Sequence, residues 1–240
     1  MARDITRRHF LNAGAGVAAT ATGAWMSRSA QGEESVAGDS DQLKIVAVSC
    51  SPRRGMTTST GLQIALEAAQ EVAPERIEVE LVDLGGLSIP GAPAANIALQ
   101  PGEKDDFPEV AAKLAVPNLA GLLVGTPVYF ASMSYLCKAF LDRCGMFRRA
   151  DFALSGKVGG VLAVGGVRSG GQELAIGSIF PILMCQEMVL VGEGRPTGHF
   201  GARLWNRDDD ILADEFGVST AQALGRRVAE VCLERAANAR

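Results

Sequence analysis

From Leu43 onward the chain alternates between short apolar runs and stretches with apolar residues at helical spacing. LKIVAVS (43–49), IEVELVDL (77–84), AGLLVGT (120–126), KVGGVLAVGG (157–166) and MVLVGE (188–193) predict five strands. TGLQIALEAAQEVA (60–73), FPEVAAKLAV (107–116), residues 134–146 and QELAIGSIFPILMC (172–185) predict the intervening helices, the last interrupted near Pro181. STAQALGRRVAEVCLERAA (219–237) predicts a closing helix. Apolar strands separated by helices imply a parallel sheet covered on both faces, and right-handed crossovers make it doubly wound. The expected fold class is therefore α/β, a five-stranded parallel sheet in a three-layer α/β/α arrangement. With no internal repeat and no change of composition, 43–240 reads as one domain. A Pro/Gly-rich loop, 86–106, interrupts the alternation and is long enough to be functional or an insertion.

The first 42 residues break the pattern. MARDITRRHFLN sets Arg7 and Arg8 ahead of Phe10 and Leu11, and a weakly apolar Ala/Gly stretch follows. This resembles a twin-arginine export signal, with Asn12 in place of the usual lysine. Small-residue cleavage sites lie at 30–32 and 35–37. Residues 1–37 read as the signal and the start of a linker, and 38–42 as the rest of that linker. The apolar run is too short and glycine-rich for a stable membrane span. The protein is thus expected to be exported and periplasmic or otherwise extracytoplasmic. GAGVAA (14–19) follows no strand, so it is not a dinucleotide-binding turn.

Charge and composition then narrow the chemistry. The formal net charge is −4 with no long basic run, which argues against a nucleic-acid partner. There are two histidines, His9 and His199, neither with a neighbour at ligand spacing, and five scattered cysteines without a CxxC pair. A metal site or a histidine-based triad is not expected.

Three loops fall at the carboxyl ends of the predicted strands, where doubly wound sheets bind ligands. SCSPRRGMTTST (49–60) offers hydroxyls, Arg53 and a helix N-terminus, the donors a phosphate dianion needs. GTPVYFASMSYLCKAFLDR (125–143) places Pro, Tyr and Phe at the mouth of a buried strand. VGGVRSGGQE (164–173) carries four glycines with Arg168 and Gln172.

Together these segments resemble the NADPH-dependent FMN reductase and iron–sulfur flavoprotein group of the flavodoxin-like superfamily. Cys50-Ser-Pro-Arg-Arg-Gly55 with Thr57-Thr58 is similar to the group's first loop, with Cys50 replacing a glycine. Thr126-Pro-Val-Tyr-Phe130, then Lys138, Phe140, Asp142 and Arg143, resembles its second motif. Gly165-Gly166 and Gly170-Gly171-Gln172-Glu173 resemble its third loop, and 214–230 its last helix. The likeness spans about 43–236. It implies FMN as cofactor, with Ser51, Arg53, Thr57 and Thr58 on the phosphate. Pro127, Val128, Tyr129 and Phe130 would border the flavin and ribityl chain, and Gly166, Arg168 and Gly171 the ring's polar edge. Lys138 and Asp142, one helical turn apart, read as a structural pair. The iron–sulfur members carry a cysteine cluster before an Asp-Asp like Asp105-Asp106. Residues 85–104 contain no cysteine, so no cluster is expected.

The resemblance also implies NAD(P)H as electron donor, a small acceptor such as a quinone or flavin, and a homodimer or higher homo-oligomer. No side chain is expected to act as acid, base or nucleophile, since the flavin performs the electron transfer. The competing expectation is a flavodoxin-like electron carrier serving a protein partner.

Overall fold

The computed structural model describes residues 42–238, so the expected export signal and most of the expected linker lie outside the described residues. The strands are β1 (Leu43–Ser49), β2 (Ile77–Asp83), β3 (Leu119–Pro127), β4 (Val158–Gly165), β5 (Val189–Leu190) and β6 (Ala202–Trp205). The helices are α1 (Thr57–Val72), α2 (Phe107–Leu114), α3 (Tyr135–Arg143), α4 (Gly145–Arg149), α5 (Gln172–Met184) and α6 (Glu215–Asn238). A short 3-10 turn, Ala92–Ala95, lies within the long loop after β2.

All strand pairings are parallel, in the order β2-β1-β3-β4-β5, with β6 also pairing with β4. The fifth position of the sheet is therefore shared by two segments. β5 pairs with Val158 and Gly159, and β6 with Leu162 through Gly165. Residues 191–201 loop out between them. The five-position parallel sheet is as expected, but the split of its last position is not. One continuous strand at 188–193 is in fact two residues of β5, and the pairing resumes at 202.

Alternation along β1 shows how both faces are filled. Ile45 and Ala47 pack into one apolar cluster with Leu62 and Leu66 of α1 and Leu224 and Val228 of α6. Val46 and Val48 enter the other, with Phe107 of α2, Phe140 of α3 and Ile176 of α5. A parallel strand buried on both sides needs a continuous apolar run, and these runs supply it.

Two helices depart from expectation. α5 continues through Pro181. The carbonyl deprived of its partner by the missing N–H belongs to Gly177, which is exposed, so water can satisfy it. The helix expected over 134–146 divides into α3 and α4 around Cys144.

Candidate functional site

β1 delivers the chain to the first loop, and the Cys50 N–H donates to the Gly125 carbonyl at 2.8 Å, tying the loop to β3. The Ser51 hydroxyl closes the turn internally: it accepts from the Arg53 N–H and donates to the Arg53 carbonyl, both at 3.1 Å. Asp83, the last residue of β2, braces the same loop from the side. Its Oδ2 accepts from the Gly55 N–H and the Ser59 hydroxyl, each at 2.7 Å, and its Oδ1 from the Gly85 N–H at 2.9 Å. The result is a fixed bend feeding the N-terminus of α1. That terminus has Met56 at its cap position, no capping side chain and no acidic residue in its first turn. Its free N–H groups and the positive end of the dipole are left to an anion from outside the helix.

A cleft of about 140 Å³ opens at this point. Ser51, Arg53, Thr57, Thr58, Pro127, Val128, Tyr129, Val164, Gly165, Gly166 and Asn206 line it. The structure thus brings together the first-loop residues expected at a phosphate, most of the aromatic loop and Gly166. Phe130, Arg168 and Gly171 stand outside this lining. A larger cavity of about 540 Å³, lined by Glu193, Arg195, Arg226, Arg227 and their neighbours, shares no residue with the three loops.

The aromatic loop is a built turn. Ser134 caps α3, its hydroxyl accepting from the Cys137 N–H at 3.0 Å and donating to the Cys50 carbonyl at 2.7 Å. One side chain thereby joins the first and second loops. Tyr129 and Ser132 exchange both backbone hydrogen bonds at 3.0 Å, with Phe130 and Ala131 at φ 49° and 60° between them. Left-handed backbone at both central positions makes a tight turn that holds Phe130 fully in solvent. Gly171, at φ 92°, lies against this turn: a Cβ there would stand 2.9 Å from the Ala131 Cα. Its part is to let α5 meet the aromatic loop.

Arg168 is held by Asp214, with the guanidinium 5.6 Å from the Trp205 ring centroid and 5.7 Å from that of Phe216. Gln172 clamps the third loop by accepting from the Gly170 N–H and donating to the Val167 carbonyl. Lys138 and Asp142 form an exposed pair at 2.6 Å, and Arg143 bonds Asp105 and the Pro90 carbonyl, pinning the long loop. None of the three lines the cleft.

Asp214 is 1% exposed and also accepts from the Trp205 and Gly217 N–H groups, at 2.7 and 2.8 Å. Burial by itself would push its carboxyl up, but the Arg168 guanidinium and the two N–H donors outweigh it and hold the group below the ordinary aspartate range. A depressed carboxyl stabilises the fold above the unfolded-state value, near 3.9, and that contribution is lost as pH falls through the folded-state value. Thermal melts of the wild type should therefore fall steeply below about pH 4. Asp214→Asn should start lower at neutral pH and decline less; parallel curves would show that Asp214 carries none of the acid sensitivity.

Asn206 and Asp83 escaped the sequence reading. Asn206 follows β6, and its N–H donates to the Gly165 carbonyl at 2.8 Å. Four residues of strand after a Gly/Pro-rich loop leave no periodic signal to announce it. Asp83 ends an alternating strand, where a carboxylate reads as a surface position.

Among the described residues no group of three or more His, Cys, Asp or Glu is placed to hold a metal ion. Cys50, Cys137 and Cys144 share one apolar core, Cys232 lies in the other and Cys185 is exposed. Burial pushes the Cys50 and Cys144 thiols up, as for small buried hydrophobes. These residues do not fit an iron–sulfur centre.

A doubly wound parallel sheet with an anion-ready helix terminus, an aromatic loop and a glycine-rich loop at one edge defines a flavodoxin-like flavin-binding protein. The profile of the NADPH-dependent FMN reductase family matches residues 43–201, and the chain belongs to that family. An iron–sulfur flavoprotein of Methanocaldococcus jannaschii is 34% identical over 194 residues, 79% of this chain and 97% of that one. Another, of Methanosarcina thermophila, is 31% identical, covering 79% and 95%. Among solved structures, an oxidoreductase from Corynebacterium diphtheriae superposes with a TM-score of 0.59 at 22% identity, covering 81% of this chain and 99% of that one. A WrbA-like flavodoxin from Agrobacterium tumefaciens superposes with a TM-score of 0.53 at 16% identity, covering 80% and 98%. The two superpositions speak for the fold; family membership makes the chain an FMN-dependent oxidoreductase in the general sense.

Proposed function

We propose that the protein is an exported flavoenzyme that takes reducing equivalents from NAD(P)H and passes them, through bound FMN, to a small acceptor such as a quinone or a flavin. The observation that carries this reading is the uncapped N-terminus of α1, set beside Arg53 in a cleft that continues to Tyr129. Arg53 and the first-turn N–H groups suit a phosphate, while Pro127, Val128 and Tyr129 suit the edge of a flat ring. The cleft lining contains no carboxylate, imidazole or thiol. Redox chemistry in this cleft is therefore the cofactor's, and the side chains bind, orient and exclude water. When bound, FMN supplies the capacity to accept a hydride and release electrons.

Tyr129, Phe130 and Tyr135 are exposed at the same edge, which favours a second reading, an electron carrier that docks there on a protein partner. Among the described residues no helix is long and apolar enough to cross a membrane. The paired arginines Arg7 and Arg8 support export of the folded, flavin-loaded protein.

One experiment separates these parts. Cells expressing the whole chain are fractionated, and the spectrum of the protein outside the cytoplasmic membrane is recorded before and after NADPH or NADH. The expected result is a yellow, FMN-containing protein without iron, whose 450-nm-region absorbance (about that of free flavin) bleaches within seconds. A colourless protein that takes up no FMN defeats the flavin reading. Flavin that resists both nucleotides selects the carrier. Protein confined to the cytoplasm with its leader intact removes export.

A further inference from the structure

The turn after β6 reaches across the sheet to the phosphate loop. Arg207 and Asp210 exchange backbone hydrogen bonds at 2.8 and 2.9 Å, and Asp208 and Asp209 between them sit at φ 50° and 62°. Short polar side chains tolerate that left-handed backbone. The turn carries the Asp209 Oδ1 to 2.7 Å from the Arg53 Nη1, a contact between residues 156 positions apart. Asn206 supports it: its Nδ2 donates to the same Asp209 oxygen at 3.4 Å, and its own Oδ1 is buried without a partner while the residue lines the cleft. The Arg53 guanidinium, with help from Asn206, holds the Asp209 carboxyl below its ordinary range.

Arg53 thus has an anion already, supplied by the chain from beyond the cleft lining, while the α1 terminus has none. Both partners are half exposed, so the pair is weak and open to exchange. A phosphate dianion brings more charge and can use the helix N–H groups as well, which a side chain fixed in a separate turn does not. We infer that Asp209 is a built-in competitor for the phosphate of the bound nucleotide: it occupies Arg53 in the free protein, FMN must displace it, and it sets the affinity for phosphorylated over unphosphorylated flavin. The β6–α6 turn is then a fourth wall of the site. This inference rests on the FMN reading above.

The test is the dissociation constants of FMN and riboflavin, by flavin fluorescence, for the wild type, Asp209→Asn, Asp208→Asn, Arg53→Ala and the Arg53→Ala/Asp209→Asn pair. Asparagine keeps the left-handed backbone, so Asp209→Asn should fold, and an unchanged melting temperature confirms it; Asp209→Gly is the second variant at the site. Removing the competitor should tighten FMN by about three- to tenfold and leave riboflavin within about twofold. Asp208, for which no ion pair is formed among the described residues, should change FMN less than twofold (about the scatter of such titrations). The gain should shrink when Arg53 is already absent. FMN affinity that is unchanged or weaker in both Asp209 variants overturns the inference, as does an equal gain in Asp208→Asn, which would reduce the effect to general charge. If the wild type takes no flavin, the FMN reading fails separately. Inorganic phosphate, titrated by calorimetry, then serves as the probe: tighter binding by Asp209→Asn upholds the competitor, and equal or absent binding removes it.

Discussion

Arg53→Ala is expected to weaken FMN by about ten- to a hundredfold while riboflavin loses less than about threefold. The guanidinium lines the cleft beside the uncapped terminus of α1, where the proposed phosphate would sit. A charge-assisted hydrogen bond is worth about 1.5–3 kcal/mol, which is the range of that loss. The backbone of the loop does not depend on the Arg53 side chain. Ser51 closes its turn through the Arg53 main chain, and Asp83 holds Gly55 and Ser59. The variant should accordingly fold, and its loss should be selective for the phosphorylated ligand. Equal losses for FMN and riboflavin would show instead that Arg53 acts through the loop's structure, and the reading of this cleft end as a phosphate site would fall.

What was legible in the sequence follows the range of the signal. β1, β3 and β4 were read closely because a parallel strand covered on both faces must be apolar along its whole length, and LKIVAVS or AGLLVG is hard to mistake; β2, at the edge, was read from its alternation. That the first two loops meet at one cleft was legible because the residues of each are consecutive. The fifth strand was misread because its pairing is divided: MVLVGE announces one strand, yet only Val189 and Leu190 pair, and the chain returns eleven residues later (the gap between β5 and β6) through ARLW, where only Ala202 and Leu204 are buried. The start of α1 was placed at Thr60 rather than Thr57. Thr57, Thr58 and Ser59 read as hydroxyls of a polar loop, but all three lie buried inside the first turn of the helix, and Met56 takes the cap position. Arg168 was legible as a loop cation, but its partner was not. Asp214 comes from the far end of the chain and meets Arg168 only once β6 and α6 are packed. The same holds for Asn206, which reaches the cleft, and Asp209, which reaches Arg53, by tertiary folding alone.

That dependence of the site on packing makes the crossing of α1 and α6 the place where a single methyl group should cost most. The two helices cover one face of the sheet together, sharing a core of Leu62, Leu66, Leu224 and Val228. Where they cross, a Cβ on Gly225 would stand 1.8 Å from the Ala65 carbonyl oxygen and 3.0 Å from its Cα. Those are backbone atoms of a helix, so no side-chain rotation relieves the overlap; one helix must move off the other. Overpacking of this kind costs about 3 kcal/mol, at the upper end of its usual range. Alanine's better helix propensity returns about 1 kcal/mol. The expected net loss is about 2 kcal/mol, a fall in melting temperature of about 4–8 °C for a domain of this size. Because α1 also presents its first turn to the cleft, displacement of the helix should weaken FMN as well, in contrast to a purely local defect. Gly177→Ala is the matched control: that glycine is exposed on α5, and an added Cβ meets nothing within 4 Å. The same chemical change there should raise stability by up to about 1 kcal/mol. Differential scanning calorimetry of the two variants, with and without added FMN, decides the matter. If Gly225→Ala melts at or above the wild type, the helices do not approach as closely as the geometry requires, and the account of how this face of the sheet holds the phosphate loop in place fails with it.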